Sequence, residues 1–334
     1  MKKNKDKIDK ADRFIDVSLR PKKLKDYVGQ ENIKRSLEVF IKAAQQRKQP
    51  LDHVIIHGPP GLGKTTLSNI IARELNANLR ISSGPALTKI GDLASLLTNL
   101  EEGDCLFLDE IHRLPRTIEE ILYPAMEDFC LDIIIGKGPA AKNLRLEIPR
   151  FTLIGATTKI GSLSSPLRDR FGVVYQLDFY SISEIKRIVA INSRKLGIEI
   201  DEDALEEIAK RSRQTPRIAN RLLSRIRDYA QVENKNRIDL ETTNKALNHL
   251  LIDSIGLDPL DQKIINFIYE KFNGGPVGLS TIASACGEEK ETLEEVVEPY
   301  LMKIGFLHRS NRGRKLTEKA IEYLRGNNSV KKLL

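Results

Sequence analysis

Gly58-Pro-Pro-Gly-Leu-Gly-Lys64-Thr65 fits the spacing G-x-x-x-x-G-K-[ST], in which each residue type has a use on a phosphate chain. Gly61 and Gly63 let backbone N–H groups turn inward around an anion. Lys64 can neutralise the outer phosphates, and the Thr65 hydroxyl can ligate Mg²⁺. The preceding Val54-Ile-Ile56 is a short apolar run, as expected for a strand buried on both faces of a parallel sheet. Beyond the loop, Leu67, Ile70, Ile71 and Leu75 recur at helical spacing over Thr66–Leu75. A helix N-terminus therefore adds its partial positive charge at the same spot. A plain glycine turn between strand and helix is the bland alternative, but the motif is long and its context is right. The stretch predicts a site for a nucleoside triphosphate.

A second stretch carries the acids. Cys105-Leu-Phe-Leu-Asp109-Glu110 is an apolar run ending in two carboxylates at a strand's carboxyl end, where ligands sit in open α/β sheets. Asp109 can hold Mg²⁺ through water, and Glu110 can orient and deprotonate an attacking water. The competing reading is an acidic strand terminus facing solvent. Asp109-Glu110-Ile111-His112 also resembles the box of a different helicase superfamily, but the polar and arginine elements downstream argue against that assignment. Phe151 to Thr158 reads as another buried strand ending in two hydroxyls. Beside Asp109, Thr158 can hydrogen-bond the γ-phosphate or the water. Ser165-Pro-Leu-Arg168-Asp-Arg170-Phe-Gly172 follows as a basic turn into a strand over Val173–Leu177.

The rest of the chain must position these groups. Its 334 residues suffice for two or three domains with cores of their own, and 40% hydrophobic with 30% charged residues is ordinary for a soluble protein. The net charge of +8 hints at a polyanionic partner. No apolar run approaches the roughly 18 residues of a membrane span, and the lysine-rich Met1–Lys10 leads into no apolar segment, so it is not a secretory signal. Cys105, Cys130 and Cys286 are far apart and without metal-ligand spacing, which fits reduced thiols in the cytoplasm. The histidines form no metal pattern either.

In order, a helix is expected over Ile33–Ala44, a strand over Leu79–Ile81, and a helix from Asp92, as N-cap, to about Leu100. Leu131–Ile148 reads as a β-hairpin with Gly/Pro/Ala at its turn. Its apolar Ile133–Ile135, Leu144 and Leu146 make either a docking surface or an ordinary buried strand pair. From Ser181 to Leu250 the pattern is helical with no credible strand: Glu184–Leu196, Asp203–Arg211, Pro216–Val232 and Leu240–Leu251, with Ser183 and Asp201 as caps. This is a small helical bundle.

From Leu257 three helices are expected, Pro259–Phe272, Leu279–Cys286 and Glu291–Ile304, followed by a hairpin with a basic tip. Together they describe a winged helix. From Lys303 to Lys315 there are five Lys/Arg and no acid, whereas Glu288–Glu298 holds six Glu and one Lys. A helix so acidic makes a poor groove reader, so Arg309, Arg312 and Arg314 of the wing are the candidates for contacting DNA phosphates, the bland alternative being a basic loop that is merely solvated.

With these pieces placed, the chain resembles the RuvB family of AAA+ motors that drive bacterial Holliday-junction branch migration. The likeness rests on Arg20-Pro21, Leu51-Asp-His53, the phosphate loop, Asp104–Leu114, Leu122–Phe129, Gly155–Thr158 and Ser165–Gly172. It continues through Thr215–Leu222, Gly274–Gly278 and Glu298–Leu301. The resemblance implies an α/β AAA+ P-loop domain over residues 1–180, a helical lid over 181–253 and a winged-helix head over 254–334. It implies a homohexameric ring working on duplex DNA at Holliday junctions. Hairpin 131–148 would be the arm that docks on RuvA, with the RuvC resolvase a further candidate partner. Thr158 would be the first sensor, Arg170 a finger reaching a neighbour's γ-phosphate, and Arg217 the second sensor. Nucleotide-lining residues would be Leu19, Arg20, Gly61, Leu62, Gly63, Lys64, Thr65, Thr66 and Tyr180, with Glu127, Asp128 and Phe129 nearby. Two departures touch loop shape: Gln214 stands where glycine is usual, and Ser310-Asn311 where Thr-Pro is usual.

The reading is an ATP-driven DNA translocase. Its rivals are a nucleotide-gated, DNA-binding assembly factor and a clamp-loader-like ATPase. Glu110 and Arg170 disfavour the first, since a switch needs slow hydrolysis at most, and the wing disfavours the second.

Overall fold

The computed structural model describes residues 18–135 and 142–331. They fall into two units. One runs to Gly58 and resumes over Leu62–Asp178; the other joins Pro59–Gly61 to the chain from Phe179 onward.

The first unit holds β1 (Val54–His57), β2 (Leu79–Ser83), β3 (Cys105–Asp109), β4 (Cys130–Ile135), β5 (Lys142–Glu147), β6 (Thr152–Thr157) and β7 (Val173–Gln176). Five of these form one sheet in the order β2-β3-β6-β1-β7, with every neighbour parallel. Val54 to Ile56, Cys105 to Leu108 and all of β6 are buried, and the first two therefore read as unbroken apolar runs. The order has a consequence for chemistry. β6 lies between β1 and β3, so its polar end at Thr157 stands between the strand feeding the phosphate loop and the strand ending in the acids.

Helices Glu31–Arg47, Lys64–Glu74, Ile90–Thr98 and Arg116–Glu127 belong to the same unit. The third begins two residues before the expected Asp92 cap. Lys89 is the N-cap, and Asp92 sits three residues in, accepting the Lys89 N–H at 2.9 Å. A carboxylate is as useful there as at the cap itself. Ile55, Leu106, Leu108, Ile111, Leu153 and Phe171 build the core on the acid side of the sheet. His53 is a core histidine. Its Nδ1 accepts from Leu153 N at 2.9 Å and its Nε2 lies 3.0 Å from Met126 O; burial lowers its pKa and keeps it neutral.

β4 and β5 pair antiparallel, Leu131 opposite Leu146, as a hairpin outside the five-stranded sheet. Its tip, residues 136–141, lies outside the described residues, as do the side chains of Ile133–Ile135. Leu131 is buried, but Leu144 and Leu146 are exposed on the returning arm. An ordinary buried strand pair would not leave them so.

In the second unit, helices Ile182–Lys195, Glu202–Arg211, Pro216–Val232 and Leu240–His249 form the bundle. Two expectations fail here. Ser181, not Ser183, caps the first helix in a reciprocal pair with Glu184. Two short strands, β8 (Glu199–Ile200) and β9 (Arg237–Ile238), also pair in parallel where none was expected. Two residues leave no periodicity to read. Asp201 holds the N-cap position of the second helix without a capping bond, and its carboxylate pairs with Arg237 instead.

The winged helix follows as Pro259–Phe272, Leu279–Cys286, a π-helical turn at Leu293–Val297, and Glu298–Lys303. The expected single third helix is thus interrupted one turn before Pro299. β10 (Leu307–Ser310) and β11 (Gly313–Leu316) make the wing, and helix Glu318–Lys331 is the last described element. Ile264, Ile268, Val297, Leu301, Leu307, Leu316 and Leu324 share this domain's core.

Candidate functional site

The phosphate loop is shaped by glycines that admit no side chain. Gly63 has φ +102°, and a Cβ there would lie 2.9 Å from the Tyr27 hydroxyl; at Gly58 (φ +140°) it would lie 2.5 Å from Leu177 O. Gly63 is also the N-cap of helix Lys64–Glu74 and offers no side chain to its first N–H groups. Those donors face the loop, as an anion site at a helix N-terminus requires. Lys64 Nζ curls back to Gly58 O at 2.7 Å, which holds its charge over the loop entrance.

Asp109 ends β3, and Glu110 follows with φ +48°, a left-handed conformation uncommon outside glycine. Such strain, on the order of 1–3 kcal/mol, collects at functional sites. Here it turns the Glu110 N–H onto Asp109 Oδ1 at 3.0 Å. The Glu110 carboxylate is half-exposed and pairs with Arg113 at 3.0 Å. Across the gap to β6, Thr157 Oγ1 and His112 Nδ1 are 2.9 Å apart. Thr158 comes one residue after the strand, half-buried, at the tip that the sheet order sets between loop and acids.

Arg170 follows the short helix Ser165–Arg168. Its Nη1 donates to Pro166 O at 2.6 Å, its Nη2 reaches Glu127 Oε2 at 3.0 Å, and its guanidinium carbon stands 4.4 Å over the Tyr123 ring. Phosphate loop, acid pair, polar strand tip and supported arginine are the working parts of a nucleotide-hydrolysing machine.

Three family models cover nearly all of the chain: the Holliday junction DNA helicase RuvB P-loop domain matches residues 19–177, the RuvB AAA lid domain 180–253, and the RuvB C-terminal winged helix domain 254–325. The Holliday junction branch migration complex subunit RuvB of Fusobacterium nucleatum is 58% identical over 311 residues, 93% of this chain and 94% of that protein. The chain belongs to the RuvB family. The solved Thermotoga maritima RuvB Holliday junction branch migration motor is 50% identical, with a TM-score of 0.85 over 92% of this chain and 98% of that one. A K64R mutant of the Thermotoga protein matches with a TM-score of 0.86 at the same identity and coverage. This RuvB-family chain is therefore a P-loop AAA+ ATPase with lid and winged-helix domains.

The remaining expected residues fall out as follows. In the first unit Leu19 is buried and Arg20 half-buried. Glu127 and Asp128 are exposed and diverge: Glu127 pairs with Arg170, Asp128 with Arg145 of the hairpin arm at 2.8 Å. Phe129 adopts φ +53° at the hairpin's start and packs edge-on against Phe151. In the second unit the buried Tyr180 donates its N–H to Gln214 O at 3.1 Å. Arg217 is exposed near the start of helix Pro216–Val232, its N–H 3.4 Å from Gly61 O. Pro59–Gly61 thus group with the turn that carries Arg217.

The three wing arginines are not alike. Arg309 and Arg314 stand opposite each other across β10 and β11, and both bind Glu298, at 2.6 and 2.7 Å. Arg314 adds Glu294 at 3.2 Å and is only 17% exposed, while the Glu298 side chain is 4% exposed. Glu298 side-chain bonding raises the Arg314 pKa further. Arg314 is an internal anchor, Arg309 is shared, and Arg312 at the tip has no ion pair among the described residues. The acidic helix does more than avoid a groove; it holds the wing. Sequence reasoning missed Glu298, Arg113 and Tyr123, whose roles rest on contacts across 16, 3 and 47 positions. Only the i, i+3 spacing of Glu110 and Arg113 offered any signal.

Proposed function

We propose that this chain is the ATP-driven motor of branch migration, a translocase that pulls duplex DNA at Holliday junctions. The observation that carries the reading is the strand order β2-β3-β6-β1-β7. It ranges the phosphate loop, the Thr157–Thr158 tip and Asp109-Glu110 along the carboxyl end of the three central strands.

In that site the N–H groups of Gly61 to Thr66 and the Lys64 ammonium take the phosphates. Leu19, Arg20, Tyr180 and Arg217 line the nucleotide, with Glu127 to Phe129 nearby. Thr65 and Asp109 would hold Mg²⁺. Hydroxyl and carboxylate oxygens are the hard donors it prefers, and Asp109 gives up only one lone pair, to Glu110 N–H. When bound, the ion neutralises charge developing on the phosphate oxygens. Glu110 leaves Arg113, orients the water and takes its proton, while Thr158 fixes the water or the γ-phosphate. Arg170 completes the site of a neighbouring subunit in a homohexameric ring.

Residues 1–180 form the large ATPase domain, 181–253 the lid and 254–334 the head that meets DNA, with Arg312 and Arg309 its outward cations. The exposed Leu144 and Leu146 make hairpin 131–148 the arm for RuvA, and RuvC is a further partner of the assembly. We infer work in the cytoplasm, where the three free, buried thiols would stay reduced; among the described residues no helix is long and apolar enough to cross a membrane.

ATP hydrolysis measured with and without duplex DNA tests the motor. Stimulation by DNA is expected. A rate indifferent to DNA would favour the assembly-factor or clamp-loader-like reading.

A further inference from the structure

Arg170 is held more elaborately than a surface arginine needs. Its guanidinium lies on the Tyr123 ring at 4.4 Å, and its Nε is buried without a hydrogen bond. The ring is fixed in turn. The Tyr123 hydroxyl donates to Glu119 Oε2 at 3.1 Å, and the Ser164 hydroxyl donates to the same oxygen at 2.6 Å. Ser164 is also the N-cap of the short helix leading to Arg170, its Oγ accepting Leu167 N–H at 3.3 Å. Glu119 is 6% exposed. One buried carboxylate therefore orients both the aromatic platform under the arginine and the cap of the helix that leads to it.

The chemistry suits positioning over binding. A buried carboxylate needs donors, and two hydroxyls supply them without a counter-charge that would compete with the guanidinium. Ring stacking limits the swing of a long side chain while leaving its N–H groups for an acceptor. The pair with Glu127 is on the exposed side and can be exchanged for a phosphate; the Tyr123 contact is the inner one.

We propose that Glu119, Tyr123 and Ser164 are positioning residues for Arg170, setting the reach and angle at which it enters a neighbouring subunit's nucleotide site. This rests on the reading of Arg170 as a residue acting across the ring. Displacement of a charge-stabilising group by about 1 Å can cost on the order of a hundredfold in rate.

The test uses the full chain with ATP, Mg²⁺ and duplex DNA. Tyr123→Leu, which removes the platform, should lower kcat by on the order of ten- to a hundredfold and move KM for ATP by less than about threefold. Tyr123→Phe keeps the ring and should fall between it and the parent. Mixing is decisive. Tyr123→Leu subunits retain a sound nucleotide site, whereas Lys64→Ala subunits retain a sound Arg170. Mixed rings should recover activity at interfaces where a Lys64→Ala subunit supplies the arginine. Arg170→Ala mixed with Lys64→Ala is the control. If Arg170→Ala recovers and Tyr123→Leu does not, or if Tyr123→Leu turns over at the parent rate, the positioning role is overturned. If Arg170→Ala itself fails to recover in confirmed mixed rings, action across the ring falls and the proposal with it. Should Tyr123→Leu not fold, Ser164→Ala, which frees the cap and half of the Glu119 bonding, takes its place under the same criteria.

Discussion

Arg213 Nη1 and Asp261 Oδ2 meet at 3.0 Å with both side chains inside the protein, 6% and 0% exposed. The same guanidinium reaches Asp258 at 3.2 Å and Val296 O at 3.0 Å, and lies 4.9 Å over the Tyr300 ring. Arg213 sits in the turn between helices Glu202–Arg211 and Pro216–Val232, four residues before Arg217. Its partners all belong to the winged helix. The turn that presents Arg217 is thereby tied to the winged helix. Removing Arg213 would take away the pull that favours the ionised Asp261 and leave that carboxyl protonated to higher pH.

Asp261 gives this pair a pH signature. Burial pushes its carboxyl up to about 7 against the opposing pull of Arg213, with Asp258 and Asp253 adding to the rise. The native state thus keeps a proton that the unfolded chain has lost above its ordinary value near 3.8. The stabilisation from that proton is complete below the unfolded value and is lost as pH rises toward 7. Asp261→Asn cannot titrate. In chemical unfolding, the parent's lead over this variant should shrink from about pH 4 to about pH 7 and then stay level. A lead that grows over that interval would mean that Arg213, not burial, governs the carboxyl.

The chemistry of Glu110 is tested by shape-preserving removal. Glu110→Gln should bind ATP within a few-fold of the parent yet lose on the order of 10²–10⁴ in turnover, the usual weight of general base catalysis. Lys64→Ala should instead weaken nucleotide binding itself. Near-normal hydrolysis by Glu110→Gln would remove the base assignment, leaving its pairing with Arg113 as the residue's role.

Much of this was legible because parallel strands buried on both faces read as unbroken apolar runs, as Val54-Ile-Ile56 and Cys105–Leu108 do. Helices Pro216–Val232 and Pro259–Phe272 were legible at their starts because a proline opens each of them, with Asp258 capping the second. Strand order was not: nothing local in Thr152–Thr157 says that it inserts between β1 and β3. Gln214 shows what a departure means physically. Its φ of +55° follows +54° at Arg213, so the turn keeps the left-handed shape that suits glycine and carries the strain instead. Ser310 likewise preserves the wing turn by donating its hydroxyl to Gly313 O at 2.9 Å. The last helix, Glu318–Lys331, sets Ala320, Ile321, Tyr323 and Leu324 against this domain's core, an apolar stripe at helical spacing that the sequence reading did not take up.

On the hairpin, Leu144 is 47% exposed and Leu146 is 36% exposed. Leu144→Glu should leave folding and basal ATP hydrolysis unchanged but abolish stimulation by RuvA. A charge placed in a docking patch must be desolvated on binding, at about 2–4 kcal/mol. Retained stimulation would move the RuvA contact elsewhere, and global unfolding of the variant would mean that the arm is packed within the fold.

The wing separates two jobs that its three arginines appeared to share. Arg312, at the tip, has no ion pair among the described residues, whereas Arg314 neutralises a buried glutamate. Arg312→Ala should therefore leave the melting temperature within about 2 °C of the parent. It should weaken duplex binding by a similar factor on unrelated sequences, because phosphate contacts carry no base readout. The slope of log affinity against log salt should fall by about 1. Arg314→Ala should do the reverse. With Glu298 left to Arg309 alone, stability should drop by about 3 kcal/mol, and Glu298→Gln in the same chain should restore part of it by removing the stranded charge. Restoration is the informative arm, since a phosphate-binding arginine would gain nothing from neutralising Glu298. If Arg314→Ala instead keeps its stability and lowers the salt slope, the anchor opens in solution and all three arginines belong to the DNA surface.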